Sequence, residues 1–240
     1  MRISTIKELI FIIILLFSTG KGMIHGQDSQ ISEPDLDDSR IMGKVFYQNH
    51  FRVEGTPFFI DQWLTADILS FTNEWKKNVL VKYDAYSDEL IYYNDNISIP
   101  VIIDKDYVQM FDIHESGNNP GYTFRCINLG NPDGRDNACG FFQVVKEGNV
   151  SLYIKHSVVY AKKINPEQQD KYHGRFVHKK EYFLQVGTEV LPIKMGVKTF
   201  VKLFPQHKKD IKEFIKKDNL SMKSEDDLRL LIGYINTLVA

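Results

Sequence analysis

This chain predicts a mainly β (α+β) fold: an antiparallel meander, sandwich or rolled sheet with a short C-terminal helical segment packed on it. Three observations carry that reading. Apolar and polar residues alternate with a period of two through much of residues 44–195. The connections between these runs are short and rich in turn residues, which joins neighbouring antiparallel strands and leaves no room for crossover helices. After Gly196 the apolar spacing changes to that of a helix.

Val79, Val81 and Tyr83 alternate with Leu80, Lys82 and Asp84. Ile97, Ile99, Val101 and Ile103 alternate with Ser98, Pro100, Ile102 and Asp104. Each run fits a strand with one buried face. Tyr86-Ser87-Asp88 and Asn94-Asp95-Asn96 separate them as turns. Phe141–Lys146, Gly148-Asn149 and Val150–Lys155 form the clearest hairpin, and Tyr182–Val186 with Val190–Ile193 form a late one through Gly187-Thr188. Leu90–Tyr93 is apolar on both faces, so helices on one side and further sheet on the other are expected to bury it.

Beyond Gly196, Val197, Phe200, Val201 and Phe204 share one helical face. Pro205 can begin a second helix, with Ile211, Phe214 and Ile215 as its apolar side. In that helix Glu213 is spaced to pair with Lys209 and Lys217, which predicts a solvated face. Ser224 is the expected N-cap of a third helix, whose stripe runs from Leu228 to Val239.

The start of the chain reads as an address. Arg2 and Lys7 precede the unbroken apolar run Leu9–Phe17, too short to span a bilayer but suited to a signal peptide over residues 1–26. Residues 27–43, acidic and aperiodic, are expected to be a flexible leader. The β domain is then 44–195 and the helical segment 196–240. This predicts a periplasmic or secreted protein with no integral membrane segment after cleavage.

Export makes the two cysteines, Cys126 and Cys139, candidates for a disulfide. The turn signal Asn131-Pro132-Asp133-Gly134 lies between them and would fold them together. Two cysteines without spaced histidine partners do not make a zinc site.

With elements and address in place, the chain resembles an uncharacterised family of secreted β-rich proteins of Bacteroidetes-type bacteria. The likeness rests on Asn78–Leu90, on Gly140–Leu152 and on the lysine-rich helical end that finishes in Leu231–Leu238. It implies an exported β-rich fold and no known activity.

Little points to chemistry. The chain of 240 residues carries 30 basic and 31 acidic side chains, a balance that argues against a dedicated nucleic-acid binder. It lacks a phosphate loop, a Gly-x-Gly-x-x-Gly, a His-Glu-x-x-His and a Gly-x-Ser-x-Gly. Asp112 and His114 would share a strand face, but one carboxylate–imidazole pair lacks a nucleophile or a third metal ligand. Asn131–Asn137 fails the EF-hand pattern at Arg135. Neither catalytic residue, metal nor cofactor is expected. The reading is an exported non-enzymatic binding or structural module with an unknown protein or glycan partner. The aromatics Trp63, Trp75, Tyr83, Tyr86, Tyr92 and Tyr93 are expected to be buried on both sides of the sheet, the alternative being that some are exposed and form a contact surface. A periplasmic hydrolase with a site assembled from scattered residues is the rival.

Overall fold

The computed structural model describes residues 43–46, 53–114, 121–129, 139–163 and 173–240. The signal peptide, nearly all of the leader and the Asn131–Asn137 loop lie outside the described residues. Residues 41–240 form one compact unit.

Eleven strands build one antiparallel, unclosed sheet: β1 (Gly43–Val45), β2 (Leu64–Ser70), β3 (Trp75–Asp84), β4 (Glu89–Asn94), β5 (Ile99–Ile103), β6 (Val108–Ile113), β7 (Tyr122–Ile127), β8 (Gly140–Lys146), β9 (Val150–Lys163), β10 (His173–Val186) and β11 (Glu189–Ile193). Their order is β1-β5-β4-β3-β2-β6-β7-β8-β9-β10-β11. Two meanders therefore meet at the β2–β6 pair. Three helices follow: α1 (Val197–Leu203), α2 (Lys208–Lys217) and α3 (Glu225–Leu238). The β-rich fold with a helical C-terminus is as the alternation predicts, and the choice between sandwich and rolled sheet resolves to a single curled sheet.

Two apolar cores lie on the same face of that sheet. In β9 the even positions all point one way. Val150, Leu152 and Ile154 meet the helices, while Val158 joins the core of the other half. The helices sit on β8–β10: Phe200, Ile211, Leu228, Leu231, Ile232 and Ile235 pack against Leu152, Ile154 and Leu184. Ser224 caps α3 as expected, accepting from the Asp227 N–H at 3.1 Å. Asn236 fastens the layer, since its Oδ1 accepts from Val150 N–H at 2.7 Å and its Nδ2 donates to Val150 C=O at 2.8 Å. Gly148 makes room for it, because a Cβ there would stand 2.5 Å from Asn236 Nδ2.

In the other half no helix of the described residues covers the core; the sheet covers itself. Phe111 stacks on Phe124 at 4.9 Å, and Tyr83 and Phe141 abut the pair edgewise or tilted. The curl is held by backbone bonds. Val158 N–H donates to Ala85 C=O at 3.0 Å, which brings the end of β3 to β9. Residues 53–59 act as a strap. Glu54 exchanges hydrogen bonds with Gly174 C=O and Phe176 N–H on β10, and Phe59 N–H donates to Tyr83 C=O at 2.9 Å.

Several local expectations are corrected. Ile97 and Ser98 fall in a turn and not in β5, with Ser98 at φ 55°. β9 and β10 are 14 residues each, far longer than the short hairpins expected there. The helices cover β8–β10 and not Leu90–Tyr93; Leu90, Ile91 and Tyr92 are buried without them, while Trp63, Trp75 and Tyr86 stay exposed. The reason is strand order, which places the apolar face nearest the chain's end, on β8–β10, beside the helices.

Candidate functional site

The densest polar cluster gathers around Asp88, in the β3–β4 turn. Asp84 shapes that turn: its Oδ1 accepts from the N–H groups of Tyr86 at 2.8 Å and Ser87 at 3.1 Å. This is the local capping that aspartate performs in turns. Asp88 then sits at φ 59°, a left-handed conformation that aspartate tolerates.

Its carboxylate has four donors. Oδ1 accepts from the Tyr83 hydroxyl at 2.7 Å, from Lys155 Nζ at 2.6 Å and, at 3.4 Å, from Phe141 N–H. Oδ2 accepts from Lys105 Nζ at 2.8 Å. Lys155 also donates to Phe141 C=O at 3.1 Å, and its ammonium lies 5.2 Å from the Phe142 ring centroid. Lys105, which opens the 3₁₀ turn Lys105–Tyr107, lies 5.3 Å from the Phe141 ring centroid. A side chain at Gly140 would crowd the cluster, since its Cβ would meet Lys155 Nζ at 3.1 Å.

Burial sets the electrostatics. It pushes the Tyr83 phenol far above its ordinary range, and the Asp88 charge adds to the shift. Burial also pulls the Lys155 ammonium down, against the opposing pull of Asp88. A depressed lysine can act as a nucleophile or base. Here two of its three N–H donors go to Asp88 and to a backbone carbonyl, and the carboxylate accepts from four donors. The cluster clamps the β3–β4 turn, the 3₁₀ turn and the β8–β9 hairpin together.

A second buried group is His156, on the even face of β9 between the two cores. Its Nε2 bonds Gln143 Oε1 at 2.6 Å, and Phe59 packs edgewise on it at 4.5 Å. Burial, then the nearby Lys180, His178 and Lys155, lowers its pKa to about 3. The imidazole is neutral at ordinary pH.

Asp112 is not the carboxylate that meets His114. His114 turns to Asp67 of β2, with Nε2 3.5 Å from Oδ2, and is nearly half exposed. Asp67 stands opposite Asp112 across the β2–β6 ladder and takes the Asn78 N–H at 2.8 Å. Among the described residues no group of three or more His, Cys, Asp or Glu could hold a metal ion. Cys126 and Cys139 stand at disulfide distance, with Cα atoms 5.3 Å apart. Cys139 directly precedes Gly140 and Phe141, so this link borders the Asp88 cluster.

The outward face of the β2–β3 hairpin is of a different kind. Trp63 (37% exposed), Phe71 (52%), Trp75 (47%) and Leu80 (41%) all reach solvent. Trp63 meets Tyr93 edge-on at 5.9 Å. The inward neighbours Ala66, Ile68 and Val81 are fully buried, so alternation aims Trp63, Phe71 and Leu80 outward. Trp75 shares the parity of Val81 and joins them only because the ladder shifts register between Ala66 and Ile68, where Asn78 stands at φ 56°, which pairs Trp75 with Leu69.

Sequence reasoning singled out the aromatics and the cysteines. It missed the Asp88 cluster, whose members are 5 to 67 positions from Asp88 and carry no local pattern. Asp88 read only as a turn residue. No family model, no curated protein and no solved structure matches this chain.

Proposed function

We propose that this chain is an exported, non-enzymatic binding module of the cell envelope that meets a protein or glycan partner through the outward face of β2–β3. The observation that carries the reading is a contrast in how side chains are used. The polar groups of the Asp88 cluster are spent on one another, while one hairpin leaves four large apolar side chains in water. Exposed tryptophan and its neighbours favour association, because each offers a large rigid surface with little entropy to lose.

Export is supported by the opening apolar run and by the cysteine pair at disulfide distance. Among the described residues no helix is long and apolar enough to cross a membrane. The hydrolase reading is weakened by the position of His114, whose contact is Asp67 on an exposed face.

The test has two parts. N-terminal sequencing of the protein recovered from the periplasmic or secreted fraction is expected to begin near residue 27. A photo-crosslinking residue placed at Trp63 or Leu80 is expected to trap one reproducible envelope component, and the same residue at Leu230 on α3 is not. An uncleaved chain in the cytoplasm, or identical products from all three positions, overturns the proposal.

A further inference from the structure

A second surface lies on the helical layer, away from the aromatic hairpin. Residues 194–223 hold nine lysines, no arginine and three carboxylates. On α1, Lys198 and Lys202 are exposed one turn apart; on α2, Lys209, Lys212 and Lys216 form an exposed stripe at i, i+3, i+7. The pairing of Glu213 with Lys209 and Lys217 expected from spacing is not made: among the described residues no carboxylate stands within 4.0 Å of these lysines. Asp210 instead faces His207 at 3.8 Å. The positive charge is therefore in excess, nine lysines to three carboxylates, although Glu213 lies within the stripe.

We infer that this lysine face docks on an anionic lipid bilayer surface. Three features select that partner. The charges are all lysine, which acts as a hydrated point charge and not as a fork that reads single phosphates. Among the described residues of these helices the phenylalanines are not free to stack a base or a sugar, since Phe200 and Phe204 are buried and Phe214 stacks on Tyr234 at 4.1 Å. The lysines stand on the outer side of helices whose apolar side is used up in the core, where Ile211 and Ile215 are buried. Lysines spread along two helices suit a charged plane, to which each adds its own attraction. With no apolar stripe to spare, attachment is peripheral and electrostatic, in contrast to an inserting amphipathic helix.

The full mature chain is mixed with sedimentable vesicles of phosphatidylglycerol and phosphatidylcholine, or of phosphatidylcholine alone. Binding is expected only to the anionic vesicles at low salt and is expected to vanish near 1 M salt, where the screening length falls to about 3 Å. Each lysine near such a surface is worth roughly five-fold in affinity. The triple variant Lys209→Gln/Lys212→Gln/Lys216→Gln should therefore bind on the order of 100-fold more weakly. The pair Lys198→Gln/Lys202→Gln on α1 should bind roughly 25-fold more weakly, and it serves as the test if the triple variant melts early. No binding to anionic vesicles at low salt overturns the inference. So does equal binding by both variants, or capture by soluble heparin or polyphosphate without capture by vesicles.

Discussion

The two halves of this sheet bury the same face by different means. Under β8–β10 the apolar face is sealed by helices, and Leu152 and Ile154 meet Leu231, Ile232 and Ile235. From β2 to β7 the face is sealed by the sheet's own curl, and aromatic rings fill the space: Phe111, Phe124 and Tyr83, joined by Phe141 from the start of β8. The charge differs as sharply. Residues 44–147 hold nine basic and fifteen acidic side chains; residues 148–240 hold seventeen and ten. The comparison teaches that one strand pattern can serve two architectures, and that the cover decides which. β9 passes through both, and His156 marks the boundary.

Disrupting the self-covered half sharpens the contrast. Phe111→Ala removes a fully buried ring from the self-covered half and should cost about 4 kcal/mol in urea unfolding, the largest effect expected. If the helices on β8–β10 unfold in the same transition by circular dichroism, the halves are one cooperative unit; two separate transitions would break the comparison into two domains. Asp88→Ala leaves two lysines without their shared carboxylate and should cost about 3 kcal/mol. A loss under about 0.5 kcal/mol would deny the clamp its role.

Joining Cys126 to Cys139 should stabilise the curled half by about 2–3 kcal/mol, read as the change in unfolding midpoint on reduction. Thiol counting on the unreduced protein should find no free thiol, and two would contradict it.

The boundary residue gives a pH signature. His156 has a folded pKa of about 3 against 6.5 in the unfolded chain, so between those values only the unfolded state takes the proton. Its contribution is full above pH 6.5 and is lost as pH falls, by about 1.4 kcal/mol per pH unit. His156→Gln should flatten that slope in urea titrations between pH 6 and 4. An unchanged slope would place the acid sensitivity elsewhere. Smallest of all, Trp63→Ala should leave stability within about 0.5 kcal/mol, because the ring is exposed.

Which parts of this arrangement were legible follows from the range of the forces. The helical cover could be read because α3 declares itself within fifteen residues, through the Ser224 cap and the stripe from Leu228 to Ile235. The inward positions of β3 and β9 could be read for the same reason. The curl could not: it depends on Val158 meeting Ala85 and Glu54 meeting Gly174, contacts 73 and 120 residues apart in a chain whose alternation is silent about strand order. The Asp88 cluster was hidden likewise, since Lys105 and Lys155 look like ordinary polar strand-end residues until the curl brings them to one carboxylate. The exposed hairpin was visible as aromatic content, but its burial was misjudged because the helices were assigned to the wrong strands.

Both tryptophans of this chain, Trp63 and Trp75, lie on the β2–β3 hairpin, so their emission reports on the proposed contact face alone. Titrating the protein with glycans and protein extract from a cell envelope, while following that emission, tests the proposed binding role most directly. A saturable blue shift, lost in the Leu80→Asp variant, is the result the account predicts. Binding registered by calorimetry with the emission unmoved would contradict it.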